Sequence, residues 1–177
     1  MSSTIAEKIL ADAADRRNVS PGDHLVCDVN IAMSHDLGTY GVIGHLEEMG
    51  VEKVWEPSRI VCPMDHVAPS HTVEDANRKG IIREFVREQN IENFYDVGTG
   101  ICHEVLPEKG HVRPGELLVG TDSHTTSHGV FGTAATGIGH TDMAYVFATG
   151  EIWLRVPQTI RFDVGGDFGK RVSVKDL

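Results

Sequence analysis

Short apolar segments that alternate with helical segments constrain the fold of this chain more than any other feature. Five segments have the length and composition of β-strands: residues 24–31, 60–62, 93–97, 116–119 and 159–164. Apolar residues recur at helical spacing over residues 2–15, 36–49, 70–89 and 140–154. Strands that alternate with helices of this length predict an α/β fold in three layers, with a mostly parallel sheet covered by helices on both faces.

Two of the predicted helices begin at residues that commonly cap a helix. Ser3 or Thr4 precedes the first helix, and Thr72 followed by Asp75 resembles a capping box at the start of the third. Within the third helix, Ile82 and Val86 belong to one apolar face. This face should pack against the sheet.

The length and charge of the chain limit its class. A chain of 177 residues is expected to form one domain, residues 1–177, or one large piece of a longer protein. Asp and Glu outnumber Lys and Arg by 26 to 16, so the net charge is −10, and nucleic acid or an anionic membrane is not the expected partner. Because the chain has no membrane-spanning apolar run and no signal-peptide core at its start, we expect a cytoplasmic protein.

Cysteine usage points to a reducing compartment. Cys27, Cys62 and Cys102 are the only three cysteines, and they lie far apart in the sequence. An odd number without a Cys-x-x-Cys spacing indicates free thiols rather than a disulfide framework. The spacing also gives little support to a zinc or iron–sulfur centre built from these three residues alone.

Histidine and aspartate follow three of the predicted strands, at the point where each strand ends. The segments are residues 64–66 (Met-Asp-His), 98–103 (Gly-Thr-Gly-Ile-Cys-His) and 120–124 (Gly-Thr-Asp-Ser-His). Ligands bind outside the carboxyl ends of parallel strands, so these segments should meet at one edge of the sheet. Because histidine is the usual proton carrier near neutral pH, the sequence predicts a proton-transfer site with these candidate catalytic residues: Asp65, His66, His103, Asp122 and His124.

Two of these candidates have a second interpretation. His66 beside Asp65 fits a general acid whose pKa the carboxylate raises, or a solvated histidine in a loop. His103 either begins a helix beside Glu104 or pairs with Asp122 across neighbouring strand ends. The spacing of the residues does not choose between these interpretations.

Residues 122–125 (Asp-Ser-His-Thr) lead into a glycine-rich stretch, residues 129–139. Glycines let a backbone approach a ligand closely, and its N–H groups can hold a carboxylate or phosphate. The alternative is a helix N-cap followed by a flexible turn. Ser123 and Thr125 are therefore candidate substrate-binding residues, whereas His128, which borders the stretch, is expected to be structural.

Residues 34–36 (Ser-His-Asp) follow the first predicted strand and have the same ambiguity. Ser34 and His35 either contact substrate or belong to a helix start that Ser34 or Asp36 caps. We include Ser34 and His35 among the candidate substrate-binding residues.

Two other enzyme classes stay open from the residues alone. A serine hydrolase would use Ser123, although the chain has no G-x-S-x-G nucleophile elbow. A mononuclear metal hydrolase would use His66, His103, His124 and Asp122 as ligands. A Walker loop is excluded because no Gly-Lys-Ser/Thr follows the glycines, and their spacing does not fit the dinucleotide-binding pattern G-x-G-x-x-G.

Several motifs in order along the chain resemble the aconitase superfamily. Residues 101–108 (Ile-Cys-His-Glu-Val-Leu-Pro-Glu) and 120–125 (Gly-Thr-Asp-Ser-His-Thr) are specific in combination. Further similarity is found at residues 4–10, 64–66, 96–100, 114–115 and 137–143. Within the superfamily, the chain is most similar to the large subunits of 3-isopropylmalate dehydratase and homoaconitase.

The resemblance implies a hydro-lyase that removes water from a hydroxy di- or tricarboxylic acid and adds it back in the other position. In that family a [4Fe–4S] cluster with one iron free of protein ligands acts as Lewis acid on the substrate. By motif, Asp65 and His66 correspond to the pair that protonates the departing hydroxyl. His103 and Asp122 correspond to a second pair near the open iron.

The resemblance also assigns Ser123 and His124 to contacts with substrate or with the iron-bound water. It implies a carboxylate-binding site completed by later domains. The family's cluster cysteines lie beyond Leu177, and Cys27, Cys62 and Cys102 do not match them. We therefore expect no metal ligand and no cluster from this chain alone.

The family's swivelling domain, which carries the base serine, has no counterpart in these residues. In the narrower family it is a separate small subunit, which is the expected partner besides the small hydroxy acid. Isopropylmalate-, homocitrate-, citraconate- and dimethylmalate-type substrates all fit the residues. The alternative is a truncated relative that serves as a non-catalytic binding or assembly domain.

Overall fold

A five-stranded parallel sheet forms the centre of the protein in a computed structural model that describes residues 3–176. Its strands are β2 (Ile31–Met33), β3 (Ile60–Pro63), β4 (Asn93–Tyr95), β5 (Leu117–Gly120) and β6 (Ala134–Gly137). They lie in the order β4-β3-β2-β5-β6, and every neighbouring pair is parallel. All five carboxyl ends therefore face one edge.

A second sheet has two antiparallel strands, β1 (His24–Asp28) and β7 (Glu151–Arg155). The helices are α1 (Ile5–Ala13), α2 (Asp36–Glu48), α3 (Val73–Gln89), α4 (Cys102–Glu108) and α5 (His140–Thr149), with 3₁₀ turns at Pro57–Arg59, Ser123–Phe131 and Val174–Asp176. Within the described part of the chain, no helix is long and apolar enough to cross a membrane.

Helices cover the parallel sheet on both faces, which confirms the predicted α/β fold. Ile60 and Cys62 point to a core shared with α2, α3 and α5, whereas Val61 points to a smaller core that contains Leu106 of α4. Every residue of β3 and β5 is buried, as expected for parallel strands with two covered faces. Leu25 of β1 belongs to the larger core, so the second sheet packs against the same interior.

The predicted capping residues occupy the starts of α1 and α3. Thr4 accepts a hydrogen bond from the backbone of Glu7, whose carboxylate accepts one from the N–H of Thr4. Thr72 and Asp75 form the same reciprocal pair. The first predicted helix was placed from residue 2, which lies outside the described residues.

Two predicted elements differ most from their bounds in the structure. The strand predicted over residues 24–31 is divided between β1 and β2, which belong to different sheets. The helix predicted over residues 140–154 ends at Thr149 because Gly150 takes a left-handed conformation with φ of 78°. The chain then reverses into β7.

The prediction of a strand over residues 159–164 is wrong, because the structure has no strand there. Ile160, Phe162 and Val164 alternate as in a strand, but all three side chains are exposed. A strand is stabilised by hydrogen bonds to a neighbour and by a buried face, and these residues have neither within residues 3–176.

Three elements near the predicted site had no predicted bounds, although a helix beginning at His103 and an N-cap with a turn at residues 122–125 were among the alternatives. They are α4, the 3₁₀ turn over Ser123–Phe131, and β6. Pro107 lies inside α4, and glycines surround β6, so intrinsic propensity argued against both. Tertiary packing overrides propensity at these places.

We predict opposite effects of alanine at two glycines. Gly150→Ala should lower the free energy of unfolding by more than about 1 kcal/mol, because φ is positive and a Cβ would collide with the indole of Trp55. Gly44→Ala, within α2 and with open space around its Cβ position, should raise it by about 0.5–1 kcal/mol. Urea unfolding followed by circular dichroism measures both, and equal effects would contradict this account.

Candidate active site

The candidate site lies where the chain changes direction across the parallel sheet. From β2 the chain proceeds to β3 and β4 on one side, and then returns to place β5 on the other side of β2. Such a switch point opens a crevice at the carboxyl ends of the strands. Residues 34–36 follow β2, residues 64–66 follow β3, and residues 121–124 follow β5, so the predicted segments meet at this edge.

The carboxylate of Asp122 is the meeting point of the histidines. Its Oδ1 accepts hydrogen bonds from Nε2 of His103 at 2.7 Å and from the backbone N–H of His124 at 2.7 Å. Its Oδ2 lies 3.1 Å from Nε2 of His66. Partial burial by itself would raise the pKa of Asp122, but these hydrogen bonds outweigh burial and hold the pKa far below its usual range.

The imidazole of His66 bridges two carboxylates. Its Nδ1 lies 2.8 Å from Oδ1 of Asp65, while its Nε2 faces Asp122. Because ionised carboxylates only accept hydrogen bonds, both ring nitrogens must carry protons to satisfy this arrangement. Partial burial lowers the pKa of His66, but the hydrogen bonds and charges of Asp65 and Asp122 outweigh it and raise the pKa overall.

Asp65 is held by the start of α4. Its Oδ2 accepts a hydrogen bond from the backbone N–H of Cys102 at 2.6 Å. Burial by itself would raise the pKa of Asp65, but the bonds from Cys102 and His66 lower it. The Asp65 side chain is only 5% exposed and that of His66 is 27% exposed, so the imidazole is the part of this pair that a ligand could reach.

The ring of His35 lies flat against the ring of His66, with centroids 3.8 Å apart and planes within 16°. Its Nδ1 accepts a hydrogen bond from the N–H of Gly38, so its Nε2 carries the proton and donates to the carbonyl of Thr121 at 3.3 Å. Burial and then the charge of His66 lower the pKa of His35. A neutral imidazole thus supports a protonated one.

The same hydrogen bond corrects the predicted cap of α2. One of the two interpretations of this segment had Ser34 or Asp36 cap the helix, but the side chain of His35 does so. Ser34 is fully buried, and its Oγ accepts a hydrogen bond from the hydroxyl of Thr39 at 3.0 Å. Substrate contact by Ser34 stays a prediction, and its burial favours a supporting role.

The other candidates after β5 differ in exposure. Thr125 is fully buried and donates its hydroxyl hydrogen bond to the carbonyl of Asp122 at 2.6 Å. Ser123 is exposed, with its Oγ 3.3 Å from Nδ1 of His124, and the His124 side chain is 82% exposed. Ser123 and His124 can therefore reach a ligand directly, whereas Thr125 supports the turn.

The glycine-rich stretch packs against the backbone of the site at Gly137. A Cβ on Gly137 would come within 2.6 Å of the carbonyl oxygen of Asp122, so glycine lets β6 lie directly beside this backbone. His128 is buried, and its Nε2 lies 3.4 Å from Nδ1 of His103. Burial and then His103 lower the pKa of His128, so it is a neutral neighbour of the site.

Sequence reasoning missed two residues behind the site, Asp36 and Lys79. Asp36 was considered only as a helix cap, and Lys79 was not considered. A signal existed for Lys79, because it shares helical spacing with the apolar residues Ile82 and Val86 of α3. Both side chains are almost completely buried beside the backbone of His66.

Three groups of side chains at this edge have metal-ligand atoms within 4.8 Å of one another. Two of them contain histidine and carboxylate only: His35, His66 and Asp122 in one, and His103, Asp122 and His124 in the other. Within these groups Asp122 is hydrogen-bonded to His66 and to His103, so the contacts present there are those of His–carboxylate pairs.

The cysteines do not form a ligand set for an iron–sulfur cluster. Cys27 and Cys62 lie in the larger core and Cys102 in the smaller one, and all three are buried. Burial raises the pKa of each thiol, that of Cys62 to about 12, whereas a metal ligand must be a thiolate.

Comparison with known proteins agrees with this architecture. The pattern of the Aconitase family (aconitate hydratase) matches residues 7–177. The chain is 53% identical over its full length to 3-isopropylmalate dehydratase large subunit 1 of Methanopyrus kandleri, of which it spans 42%. It is 52% identical over 86% of its length to a probable methanogen homoaconitase large subunit of Methanosarcina mazei, of which it spans 39%.

A third relative, the 3-isopropylmalate dehydratase large subunit of Aquifex aeolicus, is 44% identical over the whole chain, which spans 41% of it. The chain belongs to the aconitase family, as the motifs predicted. It spans about two fifths of the length of these relatives.

The charges at the site predict an order of histidine titration. In a pH titration by NMR, the midpoint of His66 should lie above the ordinary value of about 6.5, and those of His35 and His128 below it. Because the pKa of His66 is raised, its ion pairs stabilise the fold fully below pH ~6.5, and this stability is lost as the pH rises through its folded pKa.

The variant Asp122→Asn tests this order of titration, because it removes one of the two charges that face His66. It should lower the midpoint of His66, whereas Asp163→Asn, at an exposed position in the last segment, should leave it unchanged. An unaltered His66 midpoint in Asp122→Asn would contradict the bridging arrangement.

Proposed function

We propose that this chain is a portion of the large subunit of a hydro-lyase that moves water on a hydroxy di- or tricarboxylic acid, most like 3-isopropylmalate dehydratase. The observation that carries the proposal is the imidazole of His66, bridged between the carboxylates of Asp65 and Asp122 at the open edge of the sheet. Relatives named 3-isopropylmalate dehydratase large subunit support this choice.

His66 and Asp65 form the acid that assists departure of the hydroxyl group. A base outside this chain takes a proton from the carbon next to the hydroxyl-bearing carbon, the C–H electron pair forms the C=C bond, and the C–O electron pair leaves with the oxygen. The proton of His66 converts this departing hydroxide to water. The two carboxylates raise the pKa of the imidazole and so favour its protonated form, which is the state that a general acid needs. In the hydration direction the neutral imidazole takes the same proton back.

His103 and Asp122 form the second His–carboxylate pair. Because Asp122 contacts both imidazoles, a change of protonation at His66 alters the interaction between Asp122 and His103. His103 is 22% exposed and orients Asp122 from the α4 side. His124 and Ser123 are the exposed groups that contact substrate or water, while His35, Ser34 and Thr125 hold the surrounding backbone and rings.

The aconitase family implies a [4Fe–4S] cluster in the complete enzyme. Cys27, Cys62 and Cys102 do not fit as its ligands because they are buried in two separate cores. We therefore propose that the cluster cysteines belong to parts of the full-length protein outside this chain, and that this chain is inactive alone.

Substrate carboxylates also require cationic groups, and two arginines of α3 already have other partners. Arg78 lies over the ring of Tyr40 at 5.2 Å, and Arg83 pairs with Asp96 at 2.8 Å. We propose that further large-subunit domains and a small subunit with a swivelling domain complete the site. The names of the relatives, which specify large subunits, support such a partner.

A homoaconitase is the second candidate, because relatives named as probable methanogen homoaconitase large subunits are 52% and 46% identical to the chain. Both candidates use the same proton-transfer residues and differ in the substrate side chain. The acidic net charge and the buried free thiols fit a cytoplasmic enzyme that acts on a small molecule, without nucleic acid or membrane.

We expect His66→Ala and Asp122→Asn to lower kcat of the assembled full-length enzyme by about 10²–10⁴-fold, because the first removes the general acid and the second removes the charge of one of its two carboxylate partners. His45→Ala, an exposed histidine at the other end of α2, is the control and should keep normal kcat. Turnover is measured with isopropylmalate and with homocitrate-type acids. Near-normal kcat in His66→Ala refutes the assigned role.

We also expect cysteine-to-alanine changes at positions 27, 62 and 102 together to leave the iron and sulfide content of the full-length enzyme unchanged, because these thiols are buried and divided between two separate cores. Anaerobic reconstitution followed by iron analysis and visible absorbance measures this. Loss of the cluster in the folded variant would place its ligands in this chain and overturn the assignment.

A further inference from the structure

The backbone at His66 is held by the buried carboxylate of Asp36. Oδ1 of Asp36 accepts a hydrogen bond from the backbone N–H of His66 at 3.0 Å, and Oδ2 accepts one from the backbone N–H of Val67 at 3.0 Å. Asp36 is the first residue of α2, and its side chain is only 3% exposed. One carboxylate thus fixes two consecutive peptide groups of the loop that follows β3.

A buried ammonium group completes this arrangement. Nζ of Lys79, from α3, donates to the carbonyl of Val67 and lies 4.0 Å from Oδ2 of Asp36. The Lys79 side chain is 5% exposed. The loop is therefore held on its N–H side by a helix that follows β2 and on its carbonyl side by a helix that follows β3.

Stability alone is a poor explanation for this buried pair. Removing two charges from water has a large desolvation cost, and buried ion pairs often add little net stability compared with apolar packing. What the pair does provide is a fixed direction for three backbone groups of His66 and Val67.

That direction matters because the His66 ring has to satisfy two carboxylates at once. Its nitrogens meet Asp65 at 2.8 Å and Asp122 at 3.1 Å, from loops that follow different strands. A rotation of the His66 backbone would break at least one of these contacts. His35, the residue before Asp36, stacks on the ring, so the start of α2 holds both the backbone and one ring face.

We propose that Asp36 and Lys79 are positioning residues, which clamp the backbone at His66–Val67 so that the His66 imidazole meets Asp65 and Asp122 together. The proposal rests on the proposed function for its catalytic consequence, because His66 is the proton donor there. The clamp itself is a property of this chain and is tested on this chain.

The first test needs no substitution. Amide hydrogen exchange of the wild-type chain, followed by NMR, should show the N–H groups of His66 and Val67 protected at least 100-fold against unstructured peptides. The exposed amide of Gly98, in the loop after β4, is the internal reference and should exchange fast. Unprotected amides at both His66 and Val67 overturn the proposal.

The second test uses Asp36→Asn and Lys79→Gln, which retain size and remove the charges. Exchange at His66 and Val67 should rise at least tenfold, and the ¹⁵N signals of the His66 ring should lose the signature of a doubly protonated imidazole at neutral pH. Arg83→Gln is the matched control, because it lies one turn further along α3 and breaks only an exposed pair with Asp96.

In the full-length enzyme, Asp36→Asn and Lys79→Gln should lower kcat at least tenfold with KM within twofold, because the groups that contact substrate stay in place. Arg83→Gln should change neither. If Asp36→Asn does not fold, the clamp is tested by the Lys79→Gln variant and by amide hydrogen exchange in the wild-type chain. Unchanged exchange and ring signals in the folded variants overturn the clamp.

The two proposals fail in different ways. Normal turnover of His66→Ala refutes the proposed role of His66 while the exchange result on the chain still tests the clamp. Loss of protection without any change in kcat retains the clamp as a local contact and refutes its catalytic consequence.

Discussion

Asp122 accepts hydrogen bonds from the imidazoles of His66 and His103 and from the backbone N–H of His124, and the rest of the edge is arranged around this carboxylate. The site is open to solvent on one side, and a shared acceptor keeps each imidazole from turning toward water. The parallel sheet lets both imidazoles reach Asp122, since the loops after β3 and β5 begin at the same edge with only β2 between these strands. Asp122 therefore links the fold to the chemistry.

Electrostatic balance at this edge separates the histidines by protonation state. His66 faces two carboxylates and has a raised pKa, whereas His35 is buried beneath it and has a lowered pKa. The stacked pair thus consists of one proton donor and one neutral support, although both side chains are imidazoles. Environment and not residue type assigns the roles, which is the general way in which proteins tune acid–base groups.

Family membership and the site geometry support each other without being the same observation. The family match covers residues 7–177, yet the chain spans about two fifths of its relatives' length. The geometry shows an edge whose carboxylates and imidazoles already contact one another. The proposed clamp by Asp36 and Lys79 explains how this edge keeps its shape while its outer side is open.

The layered α/β fold, the strand ends that carry histidine and aspartate, and the family could all be predicted from the sequence, because these depend on local periodicity and on short motifs. Tertiary structure alone decided that His103 pairs with Asp122, that His35 rather than Ser34 caps α2, and that residues 159–164 form no strand. It also revealed Asp36 and Lys79 behind His66. These outcomes depend on which distant segments become neighbours, and a hydrogen bond or an unpaired strand cannot be read from spacing along the chain.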